Sequence, residues 1–323
     1  MKLHTILAGM LTAACAGGAA AAEVWPDKPV RWVCPYVAGG AGDIFTRTIA
    51  QKLTEALGQT VIVDNRPGAN GSIGTELVAR APADGYTLLM GQSGPLTVNP
   101  FFYKGLKYDA LKDFAPITQG TLYMYALVVQ TGNPVSNIKD MIAWVKSKPG
   151  ALTYGSTGIG GGNHLAGELF NLMTQTKAIH VPYKGSALAL ADLLGGQLNY
   201  MFDTVITSAP QIKAGKLKAI GVSALKRSNS LPDIPTLDEL GLKGYEITQW
   251  QALVAPVGTP KAVVDRLQRE VVKALKLPDV IDRLATQGGN ELVGNTPEQF
   301  AAVIRSDFAK YGKLIKEANL KIE

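Results

Sequence analysis

Twice in this chain an apolar, strand-like run passes through a long glycine-rich turn into an amphipathic helical pattern. The first turn is Pro35-Tyr36-Val37-Ala38-Gly39-Gly40-Ala41-Gly42-Asp43. The second is Gly155-Ser156-Thr157-Gly158-Ile159-Gly160-Gly161-Gly162-Asn163-His164. A strand that hands over to a helix in this way belongs to a parallel β-α-β arrangement, with the turn at the carboxyl end of the strands, where ligands bind. Glycine there lets a ligand approach the backbone. The first N–H groups of the helix stay unpaired and favour an anion. Neither stretch is a nucleotide motif: Gly158-Ile159-Gly160-Gly161-Gly162-Asn163 lacks the last glycine of GxGxxG, and no GxxxxGK followed by Ser or Thr occurs.

The flanking patterns extend the argument. Val30–Cys34 is a short apolar run ended by Pro35, and Phe45, Ile49, Leu53 and Leu57 at i+4 steps predict a helix that Asp43 caps and Gly58 stops. A second buried strand is expected at 61–63, a helix over 72–80 and a third strand at 86–90. The alternation resumes with strands at 125–130, 152–154, 179–181, 200–202 and 217–222. Between them helices are expected at 138–146, after Gly162, at 187–194 and up to 214. The tail reads as helix at 261–275, 278–287 and 297–318, with almost no strand after Leu253-Val254-Ala255. Such a tail must pack on a sheet made earlier, so the chain crosses between lobes twice, near 115–125 and 246–256. The expected fold class is α/β: two doubly wound lobes with a central cleft, a clamshell of the periplasmic-binding-protein kind. Residues 23–122 and 250–323 would form lobe I, and 123–249 lobe II.

Composition narrows the function. An apolar share of 46% in 323 residues excludes wholesale disorder. The excess of 32 basic over 26 acidic residues is scattered, which fits anionic partners weakly and nucleic acid not at all. Three histidines and two cysteines leave little room for a metal site, and no cofactor is expected. Residues 1–22 read as a secretory signal, with Lys2 and His4 before an apolar stretch and Ala20-Ala21-Ala22 as the cleavage pattern. Cys15 lacks the Leu three residues earlier that a lipoprotein signal wants, Thr12 standing there, so it is expected to leave with the signal. Cys34 reads as a buried, inert thiol. No later stretch approaches the roughly 18 apolar residues of a membrane span.

Several side chains are candidates for the site. Asp43 reads first as a helix cap. His164 either bonds the loop backbone or touches ligand. Asp203, after the run 200–202, either faces the cleft or caps the next helix. Ser93 follows a strand and could offer its hydroxyl to an anion, and Tyr36 and Trp250 could wall an apolar ligand. Ser93, His164 and Asp203 have the residue types of a hydrolase triad, yet Gly91-Gln92-Ser93-Gly94-Pro95 is not the GxSxG elbow and the chain order is wrong for that fold. Catalysis is not expected.

Many short motifs in a fixed order now point one way. They include the first glycine-rich turn, Val63-Asp64-Asn65-Arg66-Pro67-Gly68-Ala69-Asn70-Gly71-Ser72-Ile73-Gly74, and Pro82-Ala83-Asp84-Gly85-Tyr86-Thr87-Leu88-Leu89. Further on stand Asp113-Phe114-Ala115-Pro116-Ile117, His180-Val181-Pro182-Tyr183-Lys184-Gly185, Phe202-Asp203, Ala214-Gly215-Lys216-Leu217-Lys218-Ala219 and Ala255-Pro256-Val257-Gly258-Thr259-Pro260. In these the chain resembles the Bug-type substrate-binding proteins of tripartite tricarboxylate transporters. The resemblance implies a periplasmic clamshell that hands a small organic acid to membrane permease subunits, and the chain is expected to be a monomer. It also implies that the two loops act as pincers on a carboxylate. The residues carried over are Tyr36, Ala38, Gly39, Gly40 and Asp43 in the first loop, then Ser156, Gly158, Gly160 and His164 in the second, and Asp203 beyond it. Ser93, Thr157, Gly161 and Gly162 complete the candidate set. Gly161 departs from the family, which usually has Thr or Ser there. Tyr36, Tyr123, Tyr125 and Trp250 hint at an aromatic body, and the scarcity of Arg and Lys in the loops favours a mono- or dicarboxylate held by backbone and hydroxyl groups. The alternatives are a sensor that presents the acid to a membrane receptor and an exported serine hydrolase using Ser93.

Overall fold

The computed structural model describes residues 25–317, so the expected signal stretch and Cys15 lie outside the described residues. Strand β1 (Val30–Cys34) has the bounds expected of it, and it lies between β2 (Val61–Asn65) and β3 (Thr87–Gln92), parallel to both. β2 is the sheet edge: Ile62 is half exposed there, which corrects the expectation of a buried strand. Helix α1 (Ala41–Leu57) follows the first glycine-rich turn. Its stripe of Phe45, Ile49, Leu53 and Leu57 is buried, each side chain contributing about 1.5–3 kcal/mol by leaving water. Gly58 ends the helix in the left-handed conformation at φ 70°. At the other end Gly40, not Asp43, is the N-cap; Asp43 sits in the first turn. Helix α2 (Ser72–Ala79) completes the β-α-β-α-β unit, and a short helix α3 (Asn99–Phe102) follows β3.

The second half alternates as anticipated: α4 (Ile138–Ser147), β5 (Thr153–Ser156), α5 (Gly162–Thr174), β6 (Ile179–Pro182), α6 (Ser186–Leu194), β7 (Tyr200–Thr204), α7 (Val205–Lys213) and β8 (Leu217–Val222). β5 runs parallel to β6 and β7. Two long strands join the halves. β4 (Phe114–Gln130) and β9 (Thr248–Pro256) pair antiparallel from Phe114 opposite Pro256 to Met124 opposite Thr248. The two crossings are therefore a hydrogen-bonded ribbon rather than free linkers. β4 then continues into the second half, where Tyr125 lies opposite Thr204. The full order is β2-β1-β3-β9-β4-β7-β5-β6, with β8 and the two-residue β10 (Glu291–Leu292) also paired to β4.

Both faces of each half are covered, as a doubly wound sheet requires. Strand alternation sends Trp32 to one core with Phe45 and Leu267, and Val33 to the other with Leu89 and Trp250. In the second half Leu127 and Phe202 join Phe170 on one face, while Val128 and Met201 join Val205 on the other. The helical tail returns as expected. Helix α8 (Lys261–Ala274) supplies Leu267 to the first core, and a short helix α9 (Pro278–Ile281) continues into a wider π-type turn over Asp282–Thr286. The last helix, α10 (Pro297–Glu317), straps both halves: Phe300 and Ile304 enter the first, Tyr311 and Ile315 the second. No described helix is long and apolar enough to cross a membrane.

Candidate functional site

Four helices begin around one space of about 320 Å³, counted with the solvent at its mouth. From the first half comes the start of α1, with Gly40, Ala41 and Gly42. From the second come Asn163 in the first turn of α5, Ser186 as the first residue of α6, and Thr204 as the N-cap of α7. Each helix start carries unpaired N–H groups worth about half a positive charge. Gln92, at the end of β3, and Tyr123 and Tyr125 on β4 form the floor, with Tyr36 and Thr157 beside them. No lysine or arginine lines the space. An anion there meets dipoles and neutral donors only.

The first loop is ordered by charge. Asp43 accepts the Gly39 backbone N–H at 2.9 Å, the Arg47 Nε–H at 2.9 Å and the Asn65 side-chain amide at 2.9 Å. Burial pushes its carboxyl up, but those three donors outweigh it and hold the group below the usual carboxylate range. Gly39 adopts φ 79°, which a side chain would strain. The loop touches the other half at Gly40, whose missing Cβ would stand 3.2 Å from Ser186 Oγ.

The second loop is ordered without charge. The Ser156 hydroxyl accepts the Gly158 N–H at 3.0 Å and bonds His180 Nε2. His164 Nδ1 accepts the Gly160 N–H at 3.1 Å, which requires that nitrogen to be unprotonated. The two imidazoles stack at 4.1 Å. Burial, then the neighbouring His180, brings His164 down to about 3, and burial brings His180 down to about 4. Both are neutral near pH 7. The loop reaches across the cleft, where Tyr103 donates to the Ile159 carbonyl at 2.8 Å and Thr157 to Asn70 Oδ1 at 3.3 Å. A Cβ on Gly162 would lie 2.1 Å from the Tyr125 hydroxyl, so this glycine is required by close approach. At Gly161 a Cβ would meet Thr157 Oγ1 at 2.5 Å. Thr157 thus fills the room that a side chain at 161 would need, and it lines the space itself.

The structure therefore sorts the candidates. Tyr36, Gly40 and Thr157 line the cleft, with Gly158, Gly160, Gly161 and Gly162 forming the loop around it. Asp43, Ser156 and His164 hold the loops in shape, and Ala38 and Gly39 lie exposed. Ser93 and Asp203 are not in the lining. Ser93 Oγ accepts the Trp250 backbone N–H at 2.9 Å, tying β9 to the end of β3. Asp203 is buried beneath the start of α7, accepting Thr207 at 2.7 Å; burial pushes its carboxyl up to about 7 against that bond and the Thr204 N–H. Trp250 is core, edge-on to Phe300 with its indole N–H on Asp307 at 2.8 Å. Ser93, His164 and Asp203 each serve different partners, so they form no relay. Cys34 is buried and unpaired, and burial lifts its thiol to about 11, in line with an inert residue.

Six lining residues were not among the candidates read from the sequence: Ala41, Gly42, Gln92, Asn163, Ser186 and Thr204. Ser186 and Thr204 had a signal, since each stands between a strand and a helix as the two glycine-rich loops do. Asn163 was overshadowed by His164 and Gln92 by Ser93.

A two-lobed α/β clamp whose cleft is ringed by helix N-termini defines a solute receptor. Residues 45–320 match the family model described as tripartite tricarboxylate transporter family receptor, and the chain belongs to that family of periplasmic solute-binding proteins. Among solved structures, the periplasmic binding protein BugD is 36% identical with a TM-score of 0.89, covering 93% of this chain and 100% of that one. A protein of R. palustris solved with adipate is 34% identical at a TM-score of 0.88, covering 91% and 98%. MatC from Rhodopseudomonas palustris with bound malate is 29% identical at 0.86, covering 90% and 100%.

Proposed function

We propose that this chain captures a small organic carboxylate, mono- or dibasic, between its two lobes and presents the closed form to membrane permease subunits. The observation that carries this reading is the convergence of four helix N-termini on one space that no charged side chain lines. Such a site holds one anion without the desolvation cost of burying a cation beside it. The bound adipate and malate of two structural neighbours support a carboxylate. In this reading the N-terminal segment 1–22 is removed on export, and the mature protein works as a periplasmic monomer with no catalytic role. Lobe I comprises 23–122 and 250–323 and lobe II 123–249, with the β4–β9 ribbon as the hinge. Tyr36, Gly40, Thr157 and the second-loop glycines contact the ligand or shape its cradle, while Asp43, Ser156 and His164 fix the loops.

A thermal-shift screen against aliphatic diacids, citrate, acidic amino acids, benzoates and phthalates tests it. A ligand at 100 times its Kd adds about 2.7 kcal/mol to stability. One class should stabilise the protein saturably, and its amide analogue, which lacks the charge, should not. Equal stabilisation by acid and amide would overturn the reading.

A further inference from the structure

The helix N-termini account for one carboxylate, but they leave the polar groups of the floor unexplained. Asn163 is 1% exposed, and its Oδ1 accepts the Thr157 backbone N–H at 3.1 Å. A backbone N–H demands an oxygen, so the orientation of this amide is fixed and its Nδ2 is left as a buried donor with no partner. Gln92, also in the lining, meets the Tyr123 hydroxyl, whose own proton goes to Gln249 Oε1 at 3.4 Å; Gln92 therefore donates its Nε2 there and leaves Oε1 as a buried acceptor with no partner. Behind them Gln249, opposite Tyr123 in the ribbon, accepts the Tyr125 hydroxyl at 3.0 Å and the Tyr123 hydroxyl at 3.4 Å. That backing holds the two phenols in place. An unpaired polar group buried in a protein costs about 1–3 kcal/mol, so a donor and an acceptor both left open beside a ligand cleft are available to a ligand that can pair them.

We infer that Asn163 and Gln92 form a second subsite that selects an acid carrying an uncharged group able both to donate and to accept, namely a hydroxyl or a primary carboxamide. This rests on the carboxylate reading above and sharpens it. An ionised second carboxylate has acceptors only. It would satisfy Asn163 but oppose Gln92 Oε1, over a floor of buried phenols with no cation in the lining. An alkyl or phenyl terminus would leave both amides unpaired. A hydroxyl or carboxamide satisfies both.

Two matched series test this by calorimetric titration of the whole mature chain. One is butyrate, 4-hydroxybutyrate, succinamate and succinate; the other is benzoate, 4-hydroxybenzoate, 4-carbamoylbenzoate and terephthalate. In at least one series the hydroxyl and amide members should bind about tenfold or more tightly than both the unsubstituted acid and the diacid, the usual effect of pairing or stranding a buried polar group. In Gln92→Leu that ratio should collapse toward one, and Gln92→Glu should weaken the diacid most. The wild-type ranking decides even if a variant fails to fold. A diacid binding as tightly as its monoamide, with both acids bound, would overturn the subsite and leave the carboxylate reading standing. No binding by any member would overturn both.

Discussion

The two glycine-rich loops look alike in sequence and are built on different physics. Loop 35–43 hangs on one carboxylate: Asp43 gathers a backbone N–H, a guanidinium and an amide. Loop 155–164 hangs on neutral groups, with a serine, two stacked imidazoles and an asparagine sharing the work. Packing differs too. At Gly40 the first loop leaves room for a Cβ only 3.2 Å from the Ser186 hydroxyl, tight but relieved by a small shift, whereas a Cβ on Gly162 in the second would lie 2.1 Å from the Tyr125 hydroxyl and 2.3 Å from Gln249 Cδ. Glycine content thus marks where backbone must stay accessible, while the residues that hold it there follow from what each lobe provides.

The largest test of this contrast is steric. Gly162→Ala would put Cβ 2.1 Å from the Tyr125 hydroxyl and 2.3 Å from Gln249 Cδ. Overpacking of that kind costs about 1–3 kcal/mol, and the helix start it displaces is part of the cradle, so ligand affinity should fall by about 100-fold. Gly40→Ala, at 3.2 Å from Ser186 Oγ, should cost about tenfold or less. Titration calorimetry with unfolding curves on both variants compares them, and equal losses would erase the difference between the loops.

A second test is acid. Between about pH 6.5 and 4 the unfolded chain binds two protons that buried His164 and His180 refuse, against one that Asp203 takes up only in the folded chain, so stability should still fall as the pH drops through that window. Asp43, whose carboxyl lies below its ordinary 3.8 in the folded protein, contributes stability that is present above about pH 4 and is lost only below it. Denaturant unfolding at stepped pH should therefore show a slope from pH 6.5 to 4 that His164→Gln reduces. Asp43→Asn should leave that slope intact and cost about 1–2 kcal/mol at neutral pH. The reverse pattern would mean the loops had been assigned each other's physics.

The smallest effect concerns position 161. Gly161→Ser should lower stability by about 1 kcal/mol because its Cβ meets the Thr157 hydroxyl, and the loss should shrink when Thr157→Ala is added. A double-mutant cycle measures the coupling, and simple additivity would show that Thr157 does not occupy that space.

Local pattern made much of this fold legible. The i+4 stripe from Phe45 to Leu57 and the glycine after it gave α1, and the apolar run Val30–Cys34 gave β1 to the residue. The strandless tail forced its own return to the earlier sheet. What stayed hidden depends on long-range pairing. Tyr123 faces Gln249 only because β4 and β9 pair across the ribbon, so no local motif announces the floor. Ser186 and Thr204 reach the cleft because α6 and α7 start at the same sheet end as α5. Ser93 and Trp250 misled for the same reason: each sits near the cleft in sequence terms, yet each is turned inward by its partner.

The most direct measurement is a crystal structure of the protein with the acid that the thermal screen selects. The account predicts carboxylate oxygens at about 2.7–3.2 Å from backbone N–H groups at the start of α1 and of at least one of α5, α6 and α7, with no cationic side chain in contact. A carboxylate paired with a lysine or arginine, or lying on the Gln92–Tyr123 floor with the helix starts vacant, would contradict it.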